Sequence, residues 1–206
     1  MNPPTNKGKE FAPEPLTEAE VRDLLDAIPT RSASGLRLRA LIAVMFGAGL
    51  RVQETLDLRP SDLNPDACQI TVRKGKGGKR RVVSIDRGSC SLLNAWLERR
   101  RALGLTGRHP VFAAYSAGAL GTPLDQRYVR RALARAADRA GIEKRVHPHG
   151  LRHSHAVRLA KGGRLEVVQR QLGHARLDTT ATYVGHLSAA DLVDYVDSLG
   201  DWMVGA

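Results

Sequence analysis

Cysteines and long apolar runs are scarce in this sequence of 206 residues. Cys68 and Cys90 are too few for a disulfide framework or a four-thiolate metal site, so we expect a reducing compartment. The longest apolar stretch, residues 41–50, contains two glycines and falls well short of the roughly 20 residues that a bilayer span needs. No charged segment followed by an apolar one opens the chain. We therefore expect neither a membrane span nor a signal peptide.

Acidic residues are also few compared with basic ones. Lysine and arginine number 32 and aspartate and glutamate 21, which leaves a net charge of +11, and 25 of the 32 cations are arginine. Arginine has a planar guanidinium that binds phosphate through two hydrogen bonds. The charge therefore indicates a polyanionic partner, either nucleic acid or an anionic membrane surface, and the short apolar runs favour nucleic acid.

The spacing of apolar residues predicts a mainly α fold with a small antiparallel β-sheet. Thr17 and Glu20 form a capping box ahead of a helix over residues 17–28, and residues 36–49 are apolar nearly all round, as in a buried helix. Short apolar runs at 70–72 and 82–85, joined by a glycine-rich segment, predict a hairpin. Helices follow, the last at residues 188–199, and residues 1–15, with four prolines, are expected to be a flexible arm.

Two clusters in the first half of the chain hold cations that the local pattern does not require. Arg51 directly follows the buried helix, so it is expected to be partly buried and oriented by Glu54; the alternative is a surface ion pair. The hairpin tip, residues 74–81, carries five cations among glycines. A lysine there could deliver a proton to a leaving oxygen, or the tip could be a solvated turn that binds DNA backbone, which is the preferred interpretation for Lys74 and Lys79.

Two further clusters lie in the second half. His149 and Arg152 are three residues apart, so at the start of a helix both project from one face, where the helix dipole favours an anion. The neighbouring His147, His153 and His155 are interpreted as structural or surface residues. The sequence Leu-Gly-His then ends at His174.

A tyrosine, Tyr183, follows His174 by nine positions in a run of small polar residues. Alone it could be a surface tyrosine. With two arginines, two histidines and a lysine, and without a carboxylate cluster for Mg²⁺ or a Walker lysine motif, it suits metal-free phosphoryl transfer to a tyrosine hydroxyl. A free tyrosine has a pKa of about 10 and is only about 0.1% ionised at pH 7, so neighbouring cations and a base must activate it.

These clusters resemble the motifs of the tyrosine recombinase (phage integrase) family. Four motifs of the family are present in its order. Arg51 stands in G-L-R-x-x-E, Lys76 in G-K-G-x-K-x-R, and His149 with Arg152 in H-x-L-R-H. His174 ends L-G-H, and Tyr183 follows it at the family's spacing. The resemblance covers residues 16–199. It implies the family's catalytic-domain fold and a site-specific DNA recombinase that needs neither a cofactor nor a metal.

The resemblance implies a reaction in two transesterifications. Tyr183 would attack a DNA phosphodiester, form a 3′-phosphotyrosine and free a 5′-hydroxyl; a 5′-hydroxyl of the partner DNA would then reverse the step. Lys76 would be the general acid for the leaving oxygen, and His149 would assist with the tyrosine proton. Integration, excision and inversion of DNA are all compatible with this chemistry.

The remaining site residues would stabilise charge. The resemblance implies that Arg51 and Arg152 hold the non-bridging oxygens of the phosphate, that His174 donates a hydrogen bond to them, and that Glu54 supports the arginines. DNA contacts are also expected from exposed cations, with a merely solvated surface as the alternative: Lys74, Lys79, Arg80, Arg127, Arg130 and Arg131.

The resemblance also bears on domains and assembly. Residues 16–206 are expected to be the catalytic domain, and the N-terminal core-binding domain of many family members is expected to be absent, whether the chain is a catalytic-domain-only recombinase or a fragment. Double-stranded DNA in the cytoplasm, at the nucleoid, is the expected partner. A tetramer on DNA, weaker assembly off DNA and an accessory directionality protein are implied, and the last helix could pack on its own domain or on a neighbouring protomer.

Two other functions use the same residues. A type IB topoisomerase would relax supercoils as a monomer on DNA of any sequence. A non-catalytic DNA-binding regulator would occupy DNA without cutting it. The small size and the H-x-L-R-H box favour the recombinase over the topoisomerase, and competent residues at all six catalytic positions speak against the regulator.

Overall fold

A computed structural model describes residues 14–73, 80–161 and 170–172. The predicted mainly α fold with a small antiparallel sheet is confirmed. The predicted arm up to residue 13 and the predicted helix at 188–199 lie outside the described residues. The elements are α1 Glu18–Asp26, α2 Ala33–Gly47, α3 Val52–Leu56, β1 Leu63–Asn64, β2 Gln69–Val72, β3 Arg81–Ser84, α4 Arg87–Ala102, α5 Gln126–Ala140 and α6 Pro148–Lys161.

Short polar side chains start α1, α4 and α5, and the predicted capping box at Thr17 and Glu20 is confirmed. The Thr17 hydroxyl accepts a hydrogen bond from the Glu20 backbone at 3.1 Å, and the Glu20 carboxylate accepts one from the Thr17 backbone at 2.7 Å. Asp86 and Asp125 cap α4 and α5 in the same way. These bonds satisfy backbone N–H groups that have no partner within the helix, so the helix starts are defined locally.

Helix α2 lies at the centre of the domain. Leu41, Ile42 and Met45 are fully buried, and α2 packs most extensively on α4 and α6. The largest core side chain, Trp96 of α4, is also fully buried, and its indole N–H donates to the Val111 carbonyl at 2.9 Å. Because α2 is surrounded by other elements, the residues that follow its C-terminus begin inside the protein rather than on its surface.

The turn after α2 depends on Gly49. Its φ of +67° lies in the left-handed region, and a Cβ built on it would come within 2.4 Å of the His155 ring. A larger residue would therefore meet both backbone strain and a clash. The tight turn brings Arg51, at the start of α3, against the N-terminal half of α6.

The sheet is antiparallel in the order β1-β2-β3, with Val72 opposite Arg81 and Ile70 opposite Val83. The predicted hairpin is therefore confirmed, whereas β1 is an addition because its two residues are too few to show a pattern. Val83 is buried and Val82 is 51% exposed, so alternate residues of β3 face the domain. Arg81 lies on the same face as Val83.

Neighbouring arginines at the end of α4 have different roles. Because they follow an amphipathic helix, the sequence predicts that Arg99, Arg100 and Arg101 form its charged C-terminal end, and Arg99 and Arg101 are exposed there. Arg100 instead is only 3% exposed. Its guanidinium donates to the carbonyls of Leu105, Thr106 and His109 at 2.9, 2.7 and 2.8 Å. It organises the loop that follows the helix, which local sequence patterns do not reveal.

Replacing Arg100 with methionine is expected to cost about 2–4 kcal/mol of folding stability, because the carbonyls of Leu105, Thr106 and His109 lose their donor. Chemical denaturation at neutral pH measures this loss. Arg99→Met is the matched control, and we expect it to change stability by no more than about 0.5 kcal/mol since Arg99 is exposed. Equal effects of the two substitutions would contradict the structural role of Arg100.

Candidate functional site

Four charged side chains meet where α3, β3 and α6 come together; we call Arg51, Glu54, Arg81 and Arg152 the Glu54 cluster. The Arg51 guanidinium donates to Glu54 Oε1 at 2.8 Å, and the Arg51 backbone N–H donates to Oε2 at 2.9 Å. Arg81 donates to both oxygens, at 3.0 and 2.8 Å. The third guanidinium, of Arg152, lies 3.9 Å from Glu54 Oε2. Three cations and one anion leave this centre with a charge of 3 − 1 = +2.

Glu54 holds the cluster together as an anion. Its side chain is 6% exposed, so the alternative of a surface ion pair is wrong. Burial by itself would raise the pKa of Glu54, but hydrogen bonds from Arg81 and from Arg51 outweigh burial and hold the pKa below its usual value. The carboxylate therefore remains charged at neutral pH. It holds the guanidinium groups of Arg51 and Arg81 by hydrogen bonds.

The two arginines predicted to be catalytic differ in exposure. The Arg51 side chain is 33% exposed, as expected for a group that meets a ligand from solvent. Arg152 is 3% exposed. Its guanidinium donates to the Gly49 carbonyl and, at 2.8 Å, to the Leu172 carbonyl. Arg152 thus joins the turn after α2 to the residue that precedes Gly173 and His174 in the chain.

His149 lies one turn before Arg152 on α6 and is exposed. Loss of water on the side of the ring that packs against the domain lowers the pKa of His149, and the charges of Arg152 and Arg51 lower it further. The imidazole is therefore neutral at pH 7 and able to accept a proton. The neighbouring His147 has a structural contact, since its Nδ1 accepts the Gly150 backbone N–H at 2.9 Å.

Other predicted site residues lie outside the described part of the chain: Lys74, Lys76, Lys79, His174 and Tyr183. Their neighbours are described. The ends of β2 and β3 pair Val72 with Arg81 at the base of the hairpin that contains Lys76. Residues 170–172, which lead to His174, are held against β3 and the end of α2 by Gln171, whose side chain exchanges hydrogen bonds with the Ser84 backbone and donates to the Ala48 carbonyl.

An open groove of about 660 Å³ runs from His149 along α5. Its lining is mixed: four cations, two acids and several apolar side chains. The charged residues are Arg130, Arg131, Lys144, Arg145, Asp138 and Glu143. Arg127 is exposed on the same helix but does not line the groove, and Arg80 is exposed next to β3. The cations of α5 thus border the same side of the molecule as His149, although no hydrogen bond joins α5 to the Glu54 cluster within the described residues.

Sequence reasoning missed the part that Arg81 and Gln171 play. Arg81 appeared as one of five cations in the hairpin tip and as the last residue of the G-K-G-x-K-x-R box, without a role of its own. Its side chain is 12% exposed and contacts Glu54 with both terminal nitrogens. A signal was present, because Arg81 alternates with the apolar Val83 and Ile85 and so belongs to the inward face of the strand. Gln171 has no comparable signal, since its partners are backbone groups distant in sequence.

His155 is strongly perturbed by burial. It is 3% exposed, and burial, with the nearby charges of Arg158 and Arg152, lowers the pKa of His155 to about 4. Neutral imidazole is therefore built into α6 directly behind Gly49. In the unfolded chain His155 takes up a proton near pH 6.5, whereas in the folded protein it does so only near pH 4. Between these two pH values, acid therefore stabilises the unfolded state relative to the folded one.

This pKa predicts a loss of stability in mild acid. As the pH falls from about 6.5 to 4, the unfolded chain takes up a proton on His155 that the folded protein does not, which costs about 3 kcal/mol in total and about 2 kcal/mol by pH 5. We expect His155→Leu to lose less stability than the wild type between pH 7 and pH 5, measured by urea unfolding at both. Identical losses would contradict this assignment, because the other titrating groups are common to the two proteins.

Two further properties concern the described residues alone. Residues 14–73, 80–161 and 170–172 contain no group of three or more histidines, cysteines or acids placed to hold a metal ion. Among the same residues, no helix combines the length and the apolar character that crossing a membrane requires.

Known proteins share this sequence pattern. The model of the phage integrase family matches residues 14–189. The tyrosine recombinase XerC of Halalkalibacterium halodurans is 38% identical over 186 residues, which cover 87% of this chain and 60% of that protein. The tyrosine recombinase XerD of Mycobacterium tuberculosis is 37% identical over 188 residues, covering 89% of this chain and 59% of that protein. The chain thus spans about three fifths of the length of these relatives.

Solved structures share the fold. The crystal structure of XerA recombinase has a TM-score of 0.76 at 29% identity and covers 97% of this chain and 68% of that one. The XerH site-specific recombinase in a post-cleavage complex with its palindromic difH substrate has a TM-score of 0.71 at 29% identity and covers 92% of this chain and 54% of that one. The fold is therefore that of a tyrosine recombinase catalytic domain. The chain belongs to the phage integrase family, which confirms the resemblance found in its sequence motifs.

Proposed function

We propose that this chain is the catalytic part of a site-specific DNA recombinase that cuts and rejoins strands through a 3′-phosphotyrosine. The observation that carries the proposal is the Glu54 cluster: three guanidinium groups ordered around one buried carboxylate, with a net charge of +2, beside a neutral exposed histidine. Such a centre suits a phosphodiester whose negative charge increases in the transition state.

The proposed reaction needs no energy source beyond the DNA bond itself. The Tyr183 oxygen forms a bond to phosphorus while the bond to the 5′-oxygen breaks, and Lys76 gives that oxygen a proton. His149 accepts the proton of the tyrosine hydroxyl, which its lowered pKa permits. The second step reverses the first with a 5′-hydroxyl of the partner strand, so proton and bond counts balance over the whole exchange.

The remaining residues of the proposed site stabilise the phosphate. Arg51, one third exposed, meets a non-bridging oxygen directly. Arg152 adds positive charge toward the second non-bridging oxygen and orders the chain that leads to His174, which donates the further hydrogen bond. Glu54 orients the arginines. Removing one such stabiliser from a preorganised site costs on the order of 10²–10³ in rate.

DNA is the proposed partner. The groove beside His149, the exposed cations Arg80, Arg127, Arg130 and Arg131, and the hairpin lysines Lys74 and Lys79 of the sequence motif are proposed to supply phosphate contacts. The DNA complex of XerH supports this proposal, as do the relatives named as tyrosine recombinases. We further propose a tetramer on two DNA sites in the cytoplasm, at the nucleoid, weaker assembly off DNA, and control of direction by an accessory protein.

A covalent-adduct experiment tests the function. The protein is incubated with a library of DNA duplexes that carry a randomised core and one nick, so that the short strand released by cleavage diffuses away and the adduct accumulates. Denaturing gels and sequencing of the attached DNA then report cleavage and its position. We expect an adduct whose tryptic phosphopeptide contains Tyr183 and whose DNA shares one motif. The absence of any adduct would overturn the proposal, and adducts on unrelated sequences would favour the topoisomerase.

A further inference from the structure

Arg81 connects three parts of the domain that are far apart in the sequence. Its terminal nitrogens donate to both Glu54 oxygens at 3.0 and 2.8 Å, and its Nε donates to the Gln171 carbonyl at 3.4 Å. The side chain is 12% exposed, whereas Arg51 is 33% exposed. Of these two partners of Glu54, Arg81 is therefore the one turned away from solvent.

The β-strand explains why this arginine is oriented so firmly. Arg81 pairs with Val72 at the end of the β2–β3 ladder and shares the inward face of β3 with the buried Val83. Three residues on, the Ser84 backbone exchanges hydrogen bonds with the Gln171 side chain. Both ends of β3 thus attach to residue 171, and a rigid strand carries the guanidinium to Glu54.

The two-pronged contact restricts what the Glu54 carboxylate can do. With Arg81 in place, each oxygen receives one hydrogen bond from Arg81 and one from Arg51. Without Arg81, the carboxylate can rotate about its last bond and turn toward Arg51 and Arg152. This rotation would draw the guanidinium of Arg51 or Arg152 away from the position in which it would face a phosphate. A displacement of about 1 Å is enough to slow a reaction that depends on exact positioning.

We propose that Arg81 is a positioning residue for strand cleavage: it fixes Glu54 between Arg51 and Arg152 and ties the chain that leads to His174 to the same strand. The inference rests on the proposed recombinase function and adds to it a residue that does not touch the phosphate. Gln171 completes the connection, because it links β3 to the end of α2.

Single-turnover cleavage tests the proposal. On the nicked duplex selected by the wild type, Arg81→Met is expected to form adduct about 100-fold more slowly, with a DNA dissociation constant within about threefold of the wild type. Arg81→Lys keeps the positive charge but can make only one contact with the Glu54 carboxylate. We therefore expect it to form adduct about 10-fold more slowly than the wild type. It also serves as the second variant if Arg81→Met does not fold.

A neutral substrate separates positioning from general damage to the domain. When a methyl group replaces one non-bridging oxygen at the mapped cleavage site, the phosphate loses its charge and depends less on the arginines. The difference between wild type and Arg81→Met is then expected to shrink from about 100-fold to less than about 10-fold. A difference of unchanged size on this substrate would overturn the inference.

Two comparisons complete the experiment. If Arg81 acts through Glu54, then Arg81→Met added to Glu54→Gln slows cleavage no further than Glu54→Gln alone, whereas independent effects would multiply. The control is Arg73→Met, which removes the ion pair to the buried Asp62 at the end of β2 but touches no member of the Glu54 cluster. We expect it to cleave at the wild-type rate.

The outcomes distinguish the two levels of the hypothesis. A wild type that forms no adduct contradicts the proposed function itself. A wild type that reacts while Arg81→Met reacts within about threefold of it leaves the function intact and contradicts the role of Arg81 alone.

Discussion

An Arg152→Ala variant is expected to cleave DNA at least about 10²–10³-fold more slowly than the wild type and to lose about 2–4 kcal/mol of folding stability. Both losses have the same origin. The substitution removes positive charge from the proposed phosphate site, and it also leaves the buried carbonyls of Gly49 and Leu172 without their donor. Single-turnover adduct formation and chemical denaturation measure the two effects separately.

The control for Arg152 is another deeply buried arginine, Arg100. Arg100 and Arg152 are each 3% exposed, and each donates to backbone carbonyls, but Arg100 contacts no residue of the Glu54 cluster. Arg100→Met is therefore expected to match the loss of stability and to keep the cleavage rate. A similar loss of rate in both variants would show that the effect at Arg152 is only structural.

The conservative change Arg152→Lys divides the two contributions further. Lysine keeps the charge but cannot span two carbonyls with a planar group. We expect it to recover part of the cleavage rate and little of the stability. Full recovery of both quantities would contradict the argument that the guanidinium joins two backbone segments.

Tyr183→Phe is expected to abolish adduct formation, because phenylalanine has no oxygen to form the bond to phosphorus, while DNA affinity stays within about twofold. The two tyrosines of the described residues are engaged elsewhere. The Arg37 guanidinium lies 4.7 Å from the Tyr115 ring centre and 5.1 Å from that of Tyr128, and it donates to the Tyr128 hydroxyl at 2.7 Å. Both rings are partly buried, pack against the hydrophobic core and hold a buried cation there.

The matched control is Tyr195→Phe, which removes a hydroxyl from the neighbouring predicted helix. We expect it to form adduct at the wild-type rate. Denaturing gels of the nicked-duplex reaction give the result, and binding is measured by fluorescence anisotropy on the same DNA. An adduct that persists in Tyr183→Phe would show that another residue is the nucleophile.

Local rules were sufficient where neighbours in the sequence are also neighbours in space. The capping box at Thr17 and the pairing of Arg51 with Glu54 each join residues three positions apart. The apolar surface of α2 follows from the composition of one continuous segment. Each of these features was predicted. The order of the motifs also predicted the family. The roles of His149, Arg152 and the residues beyond the described chain remain predictions that the experiments above address.

Long-range contacts could not be predicted in the same way. Whether Glu54 is a surface acid or a buried one depends on Arg81, which is 27 residues away, and on α6, about 100 residues away. Arg100 looked like the charged end of a helix and is instead a donor to a buried loop. A charged residue has the same one-letter code in both settings, and only the elements packed against it distinguish them.

Composition and spacing thus predicted the mainly α fold with its hairpin and the family, and indicated a polyanionic partner, because charge and periodicity are properties of the chain alone. Packing established which cations of the described residues share the Glu54 carboxylate. Burial removes water from Glu54 and so makes the number and direction of its arginine partners energetically decisive, and those partners come together only when α3, β3 and α6 are assembled around α2.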